Sequence, residues 1–225
     1  MKHKIIPAIL EEDFNEIKSK ISLIKDQTDL VQLDICDGRF VKVKTWPFTD
    51  LNGESKKNKS QISGMPYWQE VDYEVHLMVE NPAEIMDDFV SSGAIRLLIH
   101  IEIGHDKCFD LINEWGKAVE IGLSVNLETD LAELTGFFDK VSTIQLMGRG
   151  HLGEQGFDLD NQIFSRIKQL QDLGFNGNIA IDGGVNLENF QELIQNGADR
   201  LAVGSVIWQS NNPVETLKIF QLNLK

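Results

Sequence analysis

Short runs in which apolar residues alternate with other side chains recur along the chain, and segments with apolar residues every three or four positions separate most of them. Between Asp29 and Phe40, Val31, Leu33 and Ile35 fall on one face of a period-two pattern, and Gln32 and Asp34 on the other. A run of this kind ending in Asp37-Gly38 predicts a buried strand entering a turn. Comparable runs predict strands over 4–10, 73–79, 96–102, 120–126, 140–147, 178–182 and 200–204. Phe14, Ile17, Ile21 and Ile24 share one helical face behind Asp13, which stands where an N-cap would. Asn81-Pro82 opens a second helix, with Ile85, Phe89 and Val90 inward and Gly93 at its end. Further helices are predicted over 107–118, 129–138, 160–173, 187–196 and 213–223, the last two introduced by Asn186-Leu187 and Asn212-Pro213.

Eight strands alternating with helices in 225 residues predict one α/β domain over 1–225, a closed (β/α)8 TIM barrel. A doubly wound open sheet is the competing fold, but no Gly-x-Gly-x-x-Gly follows the first strand. From Lys42 to Trp68 the rhythm breaks, and the lysine-rich stretch from Gly53 to Ser60 predicts a solvated loop inserted around 42–68. A lid over one mouth of the barrel is the alternative reading of that segment.

In a barrel, strand residues alternate between the interior and the helix layer. The aliphatic parity, with Val31/Leu33/Ile35, Val75/Leu77/Val79 and Leu97/Ile99/Ile101, should face the helices. The opposite parity carries Gln32 and Asp34, then Glu74, His76 and Met78, then His100 and Glu102, Ser124 and Asn126, Gln145 and Met147, and Asp182. Alone, each has a plain explanation: His76 as a satisfied core histidine, Asp182 as a turn-former ahead of Gly183-Gly184. Together they are too many buried polar groups for packing, and they predict a site at the C-terminal ends of the strands. Gly183-Gly184 after strand seven and Gly204-Ser205 after strand eight stand where barrels commonly cradle a phosphate. The glycine-rich loop from Gly148 to Gly156, which includes Gly153, is suited to fold over a ligand.

Lys+Arg 21 against Asp+Glu 35 give a net charge of −14, which disfavours nucleic acid and anionic membrane as partners. A small phosphorylated ligand held by backbone N–H groups remains compatible with that charge. The apolar runs are too short to span a bilayer, and Met1 to Pro7 does not read as a signal peptide. Cys36 and Cys108 form no paired motif, which fits a reducing cytoplasm.

These pieces together resemble the ribulose-phosphate 3-epimerases, from Pro7 to about Pro213. The likeness is carried by Pro7-Ala8-Ile9-Leu10, by Leu33-Asp34-Ile35-Cys36-Asp37-Gly38-Arg39-Phe40-Val41 and by Val75-His76-Leu77-Met78-Val79-Glu80-Asn81-Pro82. It continues through His100-Ile101-Glu102, Gly153-Glu154-Gln155-Gly156-Phe157, Ile181-Asp182-Gly183-Gly184-Val185 and Val203-Gly204-Ser205-Val206-Ile207. The resemblance implies an isomerase that interconverts D-ribulose 5-phosphate and D-xylulose 5-phosphate. In it two aspartates, matching Asp34 and Asp182, act on opposite faces of C3 through an enediolate. It further implies a divalent metal (Zn, Mn, Fe or Mg) held by His76, Asp34 and Asp182, with Met78 packed around the reacting carbons.

Departures from the family pattern accompany the match. Gln32 stands where the fourth ligand is a histidine, and an amide oxygen favours harder ions than zinc. Ala8 replaces a substrate-contacting serine, Cys36 a capping methionine, and Glu154 places a negative charge where the family approaches phosphate. A catalytically altered phospho-sugar-binding homologue, an epimerase of a related ketose phosphate and a metal-independent phosphate-barrel enzyme are the alternatives. Similar proteins often self-associate, which makes a homo-oligomer an expectation from the resemblance alone.

Overall fold

The structure, a computed structural model, describes residues 3–49, 64–150, 152–153 and 156–224. Eight parallel strands close into a barrel in chain order: β1 Lys4–Ile9, β2 Leu30–Cys36, β3 Asp72–Met78, β4 Ala94–His100, β5 Glu120–Val125, β6 Thr143–Met147, β7 Asn178–Asp182 and β8 Arg200–Val203. β8 pairs back onto β1, with Ile5 opposite Leu201, so the open-sheet alternative is excluded. Around them lie α1 Phe14–Ile24, α2 Met86–Ser91, α3 His105–Trp115, α4 Gln162–Asp172, α5 Phe190–Gln195, α6 Ser205–Trp208 and α7 Pro213–Leu222.

Local chemistry accounts for the element ends. The Asp13 carboxylate accepts the N–H groups of Asn15 and Glu16 at the start of α1, whose Ile17, Ile21 and Ile24 are buried. Asn212 likewise accepts the Glu215 N–H at 3.2 Å ahead of α7. Two segments differ from the helices expected of them. Residues 131–137 form a 3-10 helix, consistent with the poor helix formers Thr135 and Gly136. After Asn81, Pro82–Glu84 makes a 3-10 turn before α2 begins. The fourth strand also stops at His100, so Glu102, expected within a strand, sits on the 3-10 turn Ile101–Ile103.

The period-two pattern is realised in the burial. Val31, Val75, Leu77, Ile99, Leu123, Ile181 and Val203 pack with Ile21, Phe89, Leu134, Ile167 and Phe220 in one cluster between strands and helices. The opposite parity fills the barrel. At its N-terminal end, Glu74 accepts Arg96 Nη1 at 2.7 Å and Arg200 Nη2, and Arg96 grips Glu120 with Nε at 2.8 Å and Nη2 at 2.7 Å. Glu74 therefore closes the floor and belongs to no site at the other mouth. Above the floor Leu98 fills the axis opposite Gly122, where an added Cβ would lie 2.6 Å from Leu98 Cδ2.

The inserted segment is packed at both described ends. Trp46 is buried against Phe14 and Phe89 at ring distances of 4.9 and 6.2 Å, and Met65 is buried as well. Thr45 Oγ1 donates to the Asp34 carbonyl at 2.9 Å and accepts the Cys36 N–H at 2.8 Å. Within the segment expected as a polar loop, Lys42 and Lys44 are exposed but residues 45–47 are buried, with Trp46 against α1 and α2 and the Thr45 hydroxyl tied to β2. The lysine-rich stretch from Gly53 to Ser60 lies outside the described residues. Among the described residues, no helix is long and apolar enough to cross a membrane.

Candidate active site

Gln32 and Asp34 come from β2, His76 from β3, Gln145 from β6 and Asp182 from the last position of β7, and all project into the barrel near its C-terminal mouth. Parallel registry sets them side by side: Asp34 pairs with His76, and Met147 with Asp182. His76 Nδ1 lies 3.1 Å from Asp34 Oδ1 and 3.1 Å from Asp182 Oδ2. Gln32 Nε2 donates to the same two oxygens, each at 2.8 Å. Gln145 Nε2 donates more weakly to Asp182 Oδ2 at 3.3 Å. Two acidic side chains are thereby held around one point, each almost fully buried.

Burial and the neighbouring Asp182 charge push the Asp34 carboxyl up to about 6. Burial also opposes ionisation of Asp182, but the His76 hydrogen bond and charge, the Gln32 amide and the Arg149 guanidinium hold it below the ordinary carboxylate range. Burial would lower His76, yet its bonds to Asp182 and Asp34 outweigh that and raise it to about 9. The two carboxyls therefore have unequal proton affinities, as acid–base work at one carbon requires.

Behind His76, a second line of polar groups runs outward. His76 Nε2 meets His100 Nε2 at 2.9 Å, and His100 Nδ1 meets Glu102 Oε2 at 3.0 Å. Glu102 Oε1 accepts the Asn126 N–H at 2.7 Å and the Thr129 hydroxyl at 2.6 Å. The sequence pattern placed His100 and Glu102 on the inward parity but gave them no role.

The aspartates form one wall of a cleft of roughly 520 Å³ that opens to solvent. Ala8, Leu10, Met78, Met147 and Leu152 supply apolar surface, and Gly183, Gly184, Gly204, Ser205, Gly153 and Arg149 also line the cleft. Gly184 needs its glycine, with φ +76° and a built Cβ only 2.4 Å from the Leu159 nitrogen. Arg149 is the one basic side chain among the described residues of this lining, and its guanidinium lies 5.4 Å from the Phe157 ring centre. Nothing in the sequence reading singled it out; a lone arginine inside the glycine-rich loop was the available signal. Ala8 is buried in the lining and offers no hydroxyl. Glu154 lies outside the described residues.

Ligand atoms of Asp34, His76 and Asp182 fall within 4.8 Å of one another, a grouping that suits a divalent cation. Gln32 Oε1 is buried without a hydrogen-bond partner, and a half-turn of the amide would present it to a cation in place of Nε2. Two carboxylates, one imidazole and one amide oxygen form a donor set that fits such an ion.

A profile described as the ribulose-phosphate 3 epimerase family matches residues 4–208. A ribulose-phosphate 3-epimerase of Serratia marcescens is 30% identical over 214 residues, covering 92% of this chain and 96% of that protein. One from Aquifex aeolicus is 28% identical over 227 residues, covering 98% and 96%. Among solved structures, a 3-keto-L-gulonate-6-phosphate decarboxylase from Vibrio cholerae superposes with a TM-score of 0.75 at 10% identity, over 100% of this chain and 98% of that one. That likeness shows the shared barrel alone.

Proposed function

The chain belongs to the ribulose-phosphate 3-epimerase family, and from that premise we propose that it catalyses epimerisation at C3 of a ketopentose phosphate, interconverting D-ribulose 5-phosphate and D-xylulose 5-phosphate. The observation that carries this reading is the pair Asp34 and Asp182, both bonded to Gln32 Nε2 and His76 Nδ1 on the wall of one cleft and unequal in proton affinity.

Asp182, held ionised, takes the C3 proton, which is acidified by the adjacent C2 carbonyl. The C–H electron pair moves into that carbonyl and gives an enediolate. Asp34 in its acid form returns a proton to the other face of C3, so one proton leaves and one arrives. The reverse reaction exchanges the two roles. Asp34, His76 and Asp182, with Gln32 beside them, are the residues that would hold a divalent cation, which when bound offsets negative charge developing on substrate oxygen. Met78, Met147 and Leu10 present apolar surface that keeps bulk water from the reacting carbon. Gly183, Gly184, Gly204, Ser205 and Arg149, which line the same cleft, receive the phosphate. A net charge of −14 disfavours nucleic acid as the substrate.

Purified protein incubated with ribulose 5-phosphate in deuterated water should incorporate deuterium at C3 when supplied with Mn²⁺, Fe²⁺ or Zn²⁺. No incorporation with any metal, alongside thermal stabilisation by the sugar phosphate, would replace catalysis with phospho-sugar binding.

A further inference from the structure

We infer that His100 and Glu102 are positioning residues that fix which ring nitrogen of His76 carries a proton, so that Nδ1 is the atom offered to a divalent cation. The inference rests on the cation-assisted reading of the site, but its first part concerns the protein alone.

Donors and acceptors along this line fix where the protons lie. Glu102 Oε1 already accepts the Asn126 N–H and the Thr129 hydroxyl, and its Oε2 faces His100 Nδ1. A carboxylate serving these donors has only lone pairs to give, so it accepts a hydrogen bond from an N–H at His100 Nδ1. Only one proton fits between the two Nε2 atoms, and it stays with His76, which faces two carboxylates where His100 faces one, so His100 is the neutral partner. A neutral imidazole protonated at Nδ1 carries a lone pair at Nε2. That nitrogen lies 2.9 Å from His76 Nε2, with the ring planes only 24° apart and the centroids at 5.0 Å, an edge-to-edge approach suited to N–H···N. His76 must therefore donate from Nε2. Its other nitrogen, Nδ1, faces Asp34 and Asp182 at 3.1 Å. When a cation takes the place of the Nδ1 proton, the Nε2 proton stays, because its acceptor is fixed from behind. Without that acceptor, His76 could equally lose the proton from Nε2 and keep the one on Nδ1, and the cation would meet an N–H instead of a lone pair.

Two measurements test this on the intact chain. In metal-free protein labelled with ¹⁵N-histidine, two-bond ¹H–¹⁵N spectra should show His100 protonated at Nδ1 and bare at Nε2, and His76 protonated at Nε2. A proton on His100 Nε2 in the wild type would overturn the inference, whatever the enzyme does with substrate. In competition titrations with Zn²⁺ and Mn²⁺, Glu102→Gln and His100→Phe should bind about 10- to 100-fold more weakly than wild type. Their metal-free melting curves and near-ultraviolet circular dichroism report whether each folds. A folded His100→Phe with wild-type metal affinity would also overturn it. Should neither variant fold, the wild-type spectrum decides. Failure of deuterium exchange in the wild type would strike the proposed reaction and leave this proton arrangement standing.

Discussion

Asp34 and Asp182 share His76 Nδ1 and Gln32 Nε2 almost symmetrically, yet their proton affinities diverge, and the difference comes from what lies just beyond. Asp182 also feels Arg149 and accepts a bond from Gln145, whereas Asp34 has the Asp182 charge as its next strongest influence after burial. Asp34→Asn and Asp182→Asn keep the volume and remove the proton-transfer group, so each should cut C3 deuterium incorporation by about 10²–10⁴-fold. Wild-type exchange in either variant would remove the two-carboxylate mechanism. Gln32→His replaces a neutral amide by the imidazole expected at that position, and isothermal titration should find tighter Zn²⁺ binding. Protons compete for the same atoms. His76 is raised to about 9, so at neutral pH a cation must displace its Nδ1 proton. Apparent metal affinity should therefore rise by about tenfold per pH unit up to roughly pH 9, and more steeply below about 6, where Asp34 also holds a proton. Metal titrations between pH 5.5 and 8.5 check the sign: affinity that is flat or falls with pH would refute it.

Within each strand, one parity builds the shell and the other builds function at one end and stability at the other. β3 shows both, since Glu74 plugs the floor while His76, two residues on, enters the site. The ion cluster is nearly dry, with the Glu74 side chain only 2% exposed and its two arginines 9–10% exposed. Glu74→Gln leaves two guanidinium groups without their shared carboxylate and should cost about 3–5 kcal/mol in denaturant unfolding. The expected signature is a lower midpoint with an unchanged denaturant slope, and an unaltered midpoint would show the cluster to be energetically idle. This end of the barrel was only half legible beforehand. The alternation placed Glu74 inside, but Arg96 and Arg200 open the strands expected over 96–102 and 200–204, where a charged residue reads as a solvated end. Trp46 was hidden for a related reason: an aromatic just ahead of Pro47 in an irregular stretch carries no period, and only the fold of 42–49 back against Phe14 and Phe89 buries it. The site itself was more legible, because Asp34, His76 and Asp182 lie on strands whose register follows from the barrel, whereas the His76–His100 contact is a matter of side-chain direction.

Across the whole molecule, acidic charge exceeds basic charge by 14, and two of those carboxylates, Asp34 and Asp182, stand in the cleft itself. A dianionic sugar phosphate approaching that surface is repelled at long range, so a local positive charge has more to do here than in a neutral protein. Arg149 is placed for it, on the loop after β6, lining the cleft beside the Gly183-Gly184 turn, where a Cβ on Gly183 would lie 3.0 Å from the Arg149 side chain. Its stem lies over the Gly183 backbone, whose φ of +101° disfavours any side chain, and its head lies 5.4 Å from the Phe157 ring centre. A charge-assisted contact to phosphate is worth about 1.5–3 kcal/mol, or roughly 10- to 100-fold in binding. Arg149→Gln should therefore raise KM for ribulose 5-phosphate by about that factor, with a smaller change in kcat, because the lost contact is made equally before and during proton transfer. Part of the same loss should appear as weaker protection by inorganic phosphate in thermal unfolding. Exchange of unphosphorylated ribulose should not fall, because that sugar has no anion for the guanidinium to meet. If phosphorylated and unphosphorylated ketose lost activity together, Arg149 would be acting through Asp182, whose ionised form it favours, and the phosphate would be bound by backbone alone.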